Sequence, residues 1–591
     1  MSQAHYRIEI LPQAHELAIE LRLSGLAGPV ILEVPTWVPG AYGFMKYGRD
    51  VFSVRARDAA TNAPLVVTRQ GWQGYQVESN GADILINYRA FAHDTAWGEL
   101  AGILDHEQAV LLGTRQLFAP AHIGPVTVDY LLPAGWAMHH PAGATALPTA
   151  PGAALPSHRY QYPNDSALLD TPVTMGRFEL RTRTSHGTPF HFVFLDRTVG
   201  FETELDSFLD GVMAVSEQAR HVFGSYPFES YTFIFTFNPK ATWGLEHVNA
   251  TQIALDHDTL IDPKSRFDGI RVCAHELFHA WNVCRLKPAP LGAPDHAHGS
   301  FPDALWISEG FTRYYEFVLS SRASESSASC FFSNVVNYLR HLTALPAYQR
   351  VSAVDSSLTT FLNHNRYPGS VNNTVDYYDL GMLIAFDLDA SLRLAGSTLD
   401  AEFSEFYRSH VGRDKGFTSA QFRHFIAARW PALDALCARE IESAGRLSTE
   451  TLLETLGFQV QHETRRVLGM VLQDDKGPIV ANVLDSGRAS AAGVAPGDEI
   501  VRAGGHPFQL NALKWLTQSG RPVELEILRG HRRFTFAIES TEQRYLSALI
   551  WRGTAEQSAR LTHWLGKFEL AAGSSVPLTD YNNFHGVQTV I

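Results

Sequence analysis

The sequence of 591 residues has only four cysteines, more acidic than basic residues, and no long apolar runs. The cysteines have no close-paired spacing, which argues against a disulfide framework and favours reduced thiols. Lys and Arg number 48 against 61 Asp and Glu, and no basic block is long enough to follow a phosphate backbone. Nucleic acid is therefore not an expected partner.

No window of about 18 apolar residues is present, so the sequence predicts no membrane span. The N-terminal stretch "MSQAHYRIEILPQAHELAIEL" contains Glu and His where a signal peptide needs an unbroken apolar segment. Together with the expected reduced thiols, these absences predict a cytoplasmic protein. The apolar content of 45% and charged content of 18% are typical of a globular protein.

The chain is too long for a single hydrophobic core, and its local patterns change along its length. Short β-prone runs separated by Gly, Pro and Asn predict an all-β domain over residues 1–185. Helical spacing then dominates residues 186–446, where "YTFIFTF" at 231–237 reads as a strand. Short strands with Gly and Pro turns return over residues 455–542, and a helix and a tail follow at 543–591.

The stretch "CAHELFHAWNV" places two imidazoles and a carboxylate in an otherwise apolar helix. His275 and His279 are four residues apart, so both side chains lie on one face and can reach one metal ion. Glu276 lies about 100° round the helix and can address a water molecule instead. This H-E-x-x-H arrangement is typical of zinc hydrolases. The alternative is a buried helix whose histidines are ordinary core residues.

A second helix, "LWISEGFTRYYEF", supplies a candidate third ligand, Glu309. Its presence favours a metal site over core histidines, because catalytic zinc takes three protein ligands. Glu316, seven residues later on the same face, is a candidate acceptor for the second N–H of a ligand histidine. Two His and one Glu favour one zinc ion per chain, although cobalt or manganese could substitute.

These motifs resemble those of the glycyl aminopeptidase family, gluzincin metallopeptidases that are PDZ-containing relatives of aminopeptidase N. "HELFHAWNVCRLKP" is similar to that family's extended metal helix, and "LWISEGFTRYYE" to its third-ligand helix. The resemblance extends from "VPTWVPGAY" to the C-terminal region and covers most of the chain. It implies a multidomain α+β protein with an N-terminal β-sandwich-like domain, a thermolysin-like α/β catalytic domain with a helical part, and a C-terminal PDZ domain.

The stretch "TWGLEHVNAT" is similar to the aminopeptidase signature that binds the free α-amine of the substrate. The resemblance assigns the amine to Glu246, with Gly244 two residues before it. A fixed carboxylate there would block N-terminal extensions and so produce an exopeptidase. The alternative is an ordinary loop carboxylate. The preceding strand at 231–237 is expected to pair with the substrate backbone as an added β-strand does.

The stretch "DYYDLGMLIAF" resembles the family segment whose tyrosine stabilises the tetrahedral oxyanion. Tyr378, three residues before Gly381, matches that tyrosine. The family commonly has Lys where this chain has Leu380, so the register is open and Tyr377 is the alternative. Aromatic residues at a helix start also occur simply as packing groups.

"SGRASAAGVAPGDEIVRAGG" resembles a PDZ segment, which implies a carboxylate-binding loop just upstream. That loop would contain Val467, Leu468, Gly469 and Met470, and it would bind a peptide C-terminus through backbone N–H groups. A purely structural PDZ domain is the alternative. The sequence itself finishes "QTVI", with an apolar final residue, Ile591, so we expect that this tail can occupy the groove in cis or in a neighbouring subunit. Chance is the competing explanation.

The metal motifs predict a zinc peptidase, and the resemblance implies that it is an aminopeptidase that removes N-terminal Gly or Ala from peptides. Within the same scaffold, the alternatives are an endopeptidase and an aminopeptidase of broad specificity. An alternative of another class is a non-catalytic scaffold that binds peptides through the PDZ domain. The expected partners are peptides with a free N-terminus and, at the PDZ groove, a C-terminal peptide or the chain's own tail.

Overall fold

The computed structural model divides into two compact units, Met1–Ser300 and Phe301–Ile591. No helix among the described residues is long and apolar enough to cross a membrane. The residues that the structure describes are 2–38, 40–93, 102–119, 122, 124–149, 155–195, 200–237, 241–363, 367–412, 415–473, 477–578 and 590–591.

The first unit is rich in strands, and its described residues contain three α-helices, at and after residue 165. Its strands are β1 (Gln3–Leu11), β2 (Glu16–Ser24), β3 (Val30–Glu33), β4 (Val51–Asp58), β5 (Pro64–Leu65), β6 (Val67–Gln70), β7 (Gly74–Val77), β8 (Ile84–Phe91), β9 (Gly102–Leu104), β10 (Gln108–Leu111), β11 (Val126–Leu131), β12 (Ala137–His139), β13 (Thr145–Leu147), β14 (Ser157–Tyr162), β15 (Val173–Gly176), β16 (Glu179–Ser185), β17 (Thr188–Phe194), β18 (Tyr231–Phe237), β19 (Thr242–Glu246) and β20 (Ala250–Leu255). Its α-helices are α1 (Asp165–Asp170), α2 (Glu202–Phe223) and α3 (Pro263–Phe278).

An N-terminal β-rich domain occupies the first part of this unit, as the sequence predicted. Within the described residues its largest sheet has the strand order β13-β14-β11-β1-β2-β8-β4-β5. Side chains on β1 and β2 alternate between buried and more exposed, so one face of the sheet forms a core. Leu245 of β19 belongs to the same core cluster, so the site strand described below is fixed on this domain.

The strands that follow form a second sheet with the order β16-β17-β18-β20-β19. Stacked phenylalanines link neighbouring strands, for example Phe192 and Phe233 with ring centroids 5.2 Å apart. Its first strand, β16, lies inside the segment 1–185 that the sequence assigned to the first domain.

The expectation that the strand at 231–237 pairs with substrate is wrong. That strand, β18, lies between β17 and β20 and is parallel to both, so both of its edges are already paired. Among the described residues, β19 lies at the edge of the sheet, antiparallel to β20, so its outer edge is where an added peptide strand would pair.

The second unit is mainly helical up to residue 456 and then becomes rich in strands. Its α-helices are α4 (Leu305–Ser308), α5 (Gly310–Arg322), α6 (Ala328–Ala344), α7 (Ala353–Leu358), α8 (Thr360–Asn363), α9 (Ser370–Asn373), α10 (Tyr377–Ala395), α11 (Leu399–His410), α12 (Ser419–Arg429), α13 (Asp434–Glu442), α14 (Thr449–Leu456), α15 (Arg488–Ala492), α16 (Leu510–Gln518) and α17 (Ala555–Leu565). Its strands are β21 (Phe458–Val467), β22 (Met470–Leu472), β23 (Val480–Val483), β24 (Glu499–Ala503), β25 (His506–Pro507), β26 (Val523–Arg529), β27 (Arg532–Ile538) and β28 (Thr541–Trp551).

Two glycines allow α10 to cross α5 at very short distance. A Cβ atom added to Gly310 would lie 2.3 Å from the Cα of Gly381, and one added to Gly381 would lie 2.1 Å from the carbonyl oxygen of Trp306. Any larger residue at either position would force the helices apart. A buried ion pair between Arg313 and Asp379, 2.5 Å apart, joins the same two helices.

The C-terminal strands form a small module with its own core. β21 pairs with β28, β22 pairs with β23, and a further sheet has the order β25-β24-β26-β27. The helix α17 packs back on the helical part of the unit, where the indole of Trp564 donates a hydrogen bond to the Tyr314 hydroxyl at 2.8 Å. The chain is therefore a multidomain mixed α/β protein with an N-terminal β-rich domain and a helical region, as predicted.

Candidate metal and peptide site

The predicted metal motif lies at the C-terminal end of α3. The Asp262 side chain caps the start of this helix by accepting from the backbone N–H of Ser265. His275 and Glu276 occupy its last turn, and His279 is the C-cap residue. All three are buried, with 8%, 5% and 1% of their surface exposed. The two imidazole rings are 4.7 Å apart between centroids.

A backbone carbonyl fixes the tautomer of His279. Its Nδ1 lies 2.9 Å from the carbonyl oxygen of Asn282, which can only accept, so Nδ1 carries the hydrogen. The lone pair is therefore on Nε2, the nitrogen that can bind a metal. The sequence analysis named Glu316 as a candidate for this supporting role. Glu316 is buried in the second unit. The partner of His279 is instead the backbone carbonyl of Asn282, and the sequence does not predict it because every residue carries such a carbonyl.

Glu246 lies at the end of β19, close to the C-terminal end of α3. Glu246, Glu276 and His279 each offer a ligand atom, and these atoms all lie within 4.8 Å of one another. All three residues are buried. Two carboxylates and an imidazole are thus concentrated in one small region, which strongly favours a cationic ligand there.

Two glycines make room for these carboxylates. A Cβ atom added to Gly244 would lie 2.4 Å from the Cγ atom of Glu276, so the backbone of β19 touches that side chain directly. A Cβ added to Gly40 would lie 2.5 Å from Oε2 of Glu246. Gly40 also has a φ of +82°, a conformation that favours glycine. The sequence analysis quoted the stretch around Gly40 but assigned it no role.

Ionic and hydrogen-bonded contacts hold the turn that follows Glu246. Asp170 of α1 accepts from the backbone N–H of Val248 at 3.0 Å and lies 3.1 Å from Nδ1 of His247. From the other side, Arg285 donates to the Val248 carbonyl and to the Asn249 side chain, both at 2.8 Å. These contacts set the position of the Glu246 carboxylate from outside the strand.

The second unit contains the other predicted ligand. Glu309 lies between α4 and α5 and is 1% exposed. Its N–H donates to the carbonyl of Leu305, and its own carbonyl accepts from the N–H of Arg313, both at 2.8 Å. Continuous helical hydrogen bonding on both sides therefore restricts the direction of the Glu309 side chain.

The two candidate tyrosines start α10. The Asp376 side chain caps this helix by accepting from the N–H of Tyr378 at 2.8 Å. The rings of Tyr377 and Tyr378 are 4.9 Å apart, and the Arg313 guanidinium lies 4.7 Å from the Tyr378 ring centre. Burial and, secondly, the nearby Glu309 carboxylate raise the pKa of Tyr377. Both phenols thus belong to the same half-buried corner of the second unit.

The predicted carboxylate loop lies between β21 and β22. Val467 ends β21 and is paired with Thr541 of β28. The backbone N–H groups of Leu468, Gly469 and Met470 all donate to the carbonyl oxygen of Ile591.

Two family models match the sequence. Residues 5–177 match the peptidase M61 N-terminal domain, and residues 268–384 match the M61 glycyl aminopeptidase family. The second match contains both halves of the proposed metal motif. No curated protein sequence matches the chain significantly.

Solved structures resemble this fold at low sequence identity. An aminopeptidase N family protein from Idiomarina loihiensis has a TM-score of 0.83 and 20% identity, with 95% of this chain and 100% of that chain covered. An M1 zinc metallopeptidase from Deinococcus radiodurans, bound to a Tyr-Ser-Ala substrate, has a TM-score of 0.46 and 14% identity, covering 75% and 94%. Native yeast LTA4 hydrolase has a TM-score of 0.46 and 14% identity, covering 77% and 70%. The first of these shows a shared fold.

Proposed function

We propose that this chain, a metallopeptidase whose residues 5–177 and 268–384 match the two models of the M61 glycyl aminopeptidase family, is a zinc-dependent aminopeptidase. Its substrates are peptides with a free N-terminal Gly or Ala. The observation that carries the proposal is the buried group of Glu246, Glu276 and His279 at the edge of the five-stranded sheet.

The chain's own residues fit a zinc ion. His275, His279 and Glu309 are each buried, and they are proposed as the ligands, two imidazoles and one carboxylate. This ligand set is typical of catalytic zinc. The carbonyl of Asn282 supports the proposal by holding His279 in the tautomer that a metal requires. Glu316 is proposed as the corresponding partner of the other histidine. Zinc held there would act as a Lewis acid that lets water lose a proton near neutral pH.

Glu276 is the proposed general base. It accepts a proton from the attacking water and passes it to the leaving amine. Its contact with the backbone of Gly244 supports this role, because a side chain pressed against a strand has few alternative rotamers. Such positioning keeps the carboxylate directed at the attacking water.

Glu246 is the proposed anchor of the substrate's α-amine. Its ligand atom lies within 4.8 Å of those of Glu276 and His279. Consecutive Cα atoms are only about 3.8 Å apart, so an amine held by Glu246 leaves space for about one residue before the bond under attack. This short spacing supports removal of single N-terminal residues over internal cleavage.

A phenol at the start of α10 is proposed to donate a hydrogen bond to the oxyanion. Tyr378 matches the family's position, three residues before Gly381. Tyr377, whose pKa responds to Glu309, is the alternative. A donor of this kind contributes about 2.7–4 kcal/mol to transition-state stabilisation. Replacing each tyrosine with Phe separately identifies the donor, because only its loss lowers kcat strongly.

We also propose that residues 455–542 form a PDZ domain. The support is a core of short strands and two helices, α15 and α16, and a loop at 468–470 whose N–H groups converge on one oxygen.

The test of the function is hydrolysis of Gly-, Ala- and Leu-para-nitroanilide and of N-acetyl-Gly-para-nitroanilide by the zinc-loaded protein. The proposal predicts turnover of Gly and Ala substrates and resistance of the acetylated one. In Glu246→Gln, kcat/KM for the free-amine substrates falls about a hundredfold, because the amine loses its ionic partner. Cleavage of the acetylated substrate would support an endopeptidase, equal rates on Leu a broad aminopeptidase, and no turnover a peptide-binding scaffold.

A further inference from the structure

The loop between β21 and β22 forms a small site whose backbone N–H groups are suited to bind an anion. The N–H groups of Leu468, Gly469 and Met470 donate to the carbonyl oxygen of Ile591 at 2.9, 2.8 and 3.3 Å. Three N–H groups that converge on one oxygen suit an anionic ligand, because each adds a partial positive charge. Ile591 is the last residue of the sequence.

The last two residues, Val590 and Ile591, extend the strand pair formed by β22 and β23. The N–H of Ile591 donates to the carbonyl of Met470 at 2.8 Å, and Val590 forms an antiparallel bridge with Val471 of β22. Val590 and Ile591 therefore lie against β22 as an added strand does, on the edge that β23 leaves open. Backbone pairing gives affinity but no preference for a particular side chain.

Side-chain selection comes from the core of the module. The Ile591 side chain is 5% exposed and belongs to the apolar cluster that contains Leu468, Met470 and, from α16, Leu513. A polar or charged final residue would have to be buried there without a partner, which is unfavourable. The site thus selects an aliphatic final residue.

The backbone of the loop requires glycine. Gly469 has a φ of +86°, and a Cβ atom added to it would lie 2.8 Å from the Cα of Gly487. A side chain at this position would therefore displace the loop and turn its N–H groups away from the oxygen.

From these contacts we propose that the tail of this same chain, Val590 and Ile591, is the resident ligand of the groove bounded by the loop 468–470, β22 and α16, and that it competes there with peptides that have an aliphatic last residue. The proposal rests on the proposed PDZ domain and not on the proposed catalysis.

The bound tail also packs against the helical part of the second unit. Val590 lies on a small cluster formed by Leu345, Val371, Val471 and Leu484. Next to this cluster, Asn372 of α9 donates to the carbonyl of Val483 at 2.9 Å. The tail therefore covers apolar surface on α9 and β22 at once, and its departure exposes that surface.

A resident ligand on the same chain competes with any peptide from solution. Because the tail is part of the same molecule, its binding is an intramolecular event. We therefore expect a free peptide to bind the intact chain at least ~10-fold more weakly than a chain without its tail.

The experiment uses fluorescence anisotropy of a fluorescein-labelled peptide, Gly-Val-Gln-Thr-Val-Ile, which copies the last six residues. One form has a free C-terminal carboxylate and the matched control has a C-terminal amide. Three proteins are compared: the intact chain, a chain that ends at Gln588, and an intact chain extended by two glycines. The extended chain keeps every native residue but moves the terminal carboxylate away from the loop.

The proposal predicts that the shortened and extended chains both bind the free-acid peptide at least ~10-fold more tightly than the intact chain. The amide peptide binds each of the three proteins more weakly than the free-acid peptide binds the shortened or the extended chain. If the shortened chain melts cooperatively yet does not distinguish acid from amide, the carboxylate site is refuted. If the extended chain binds no better than the intact chain, the tail is not the resident ligand.

Discussion

The cluster at the end of α3 and the groove at residues 468–470 are built from different parts of the chain. The first consists of side chains, namely Glu246, Glu276 and His279, brought within 4.8 Å of one another. The second consists of backbone N–H groups that converge on one oxygen. The first region concentrates negative charge, and the second concentrates positive partial charge. They are therefore suited to opposite ends of a peptide, an ammonium group and a carboxylate.

This difference has a consequence for substitution. A side-chain site is lost when a donor atom is removed, even if the backbone stays in place. A backbone site tolerates a change of side chain and is lost when the local φ and ψ angles change. Substitutions chosen on this basis separate the two kinds of site.

The largest effect is expected for His279→Ala. It removes the imidazole whose tautomer the Asn282 carbonyl fixes, so we expect loss of bound zinc and a fall in Gly-para-nitroanilide hydrolysis of roughly a thousandfold or more. The measurements are metal content by elemental analysis and kcat/KM. His298→Ala is the control, because His298 is an exposed histidine of the same unit. Equal zinc content in both variants would contradict the assignment of His279.

A smaller effect is expected for Gly244→Ala. The added methyl group would lie 2.4 Å from the Glu276 side chain and must push the base aside without removing any donor atom. We expect zinc to be retained and kcat to fall about a hundredfold, since misplacing a catalytic group by about 1 Å has effects of that size. Gly477→Ala is the control, because its Cβ meets nothing closer than 3.4 Å. Wild-type kcat in Gly244→Ala would show that this contact does not position Glu276.

The smallest effect is expected at the groove, in a chain that ends at Gln588. Gly469→Ala forces a residue with a Cβ into a φ of +86° and should weaken binding of the free-acid peptide about tenfold. Leu468→Met keeps the apolar volume and the backbone, so it should bind within about twofold of the parent. Anisotropy titration measures both affinities. If Leu468→Met binds as poorly as Gly469→Ala, the groove depends on its side chains, and the contrast with the cluster of Glu246, Glu276 and His279 fails.

Part of this arrangement could be predicted from the sequence because local spacing determines it. The separation of His275 and His279 places both rings on one face of any helix. The β-rich start and the helical region after the catalytic strands were also predicted correctly, since period-2 and period-3.6 patterns are local.

Other features depend on contacts between distant residues and could not be predicted in this way. Whether β18 or β19 lies at the sheet edge is decided by strand order, which no local pattern specifies. The carbonyl of Asn282 and the close approach of Gly40 to Glu246 involve backbone positions, which residue identity does not reveal. The pairing of β22 with the last two residues is likewise a contact between backbone groups.

The most direct test of the account compares wild type with Glu276→Gln for zinc content and Gly-para-nitroanilide hydrolysis. The account predicts one zinc ion per chain in both proteins and a loss of kcat of about 10²–10⁴-fold in the variant, the contribution of a general base. Hydrolysis at the wild-type rate by the zinc-loaded variant, or by wild type stripped of metal, would contradict it.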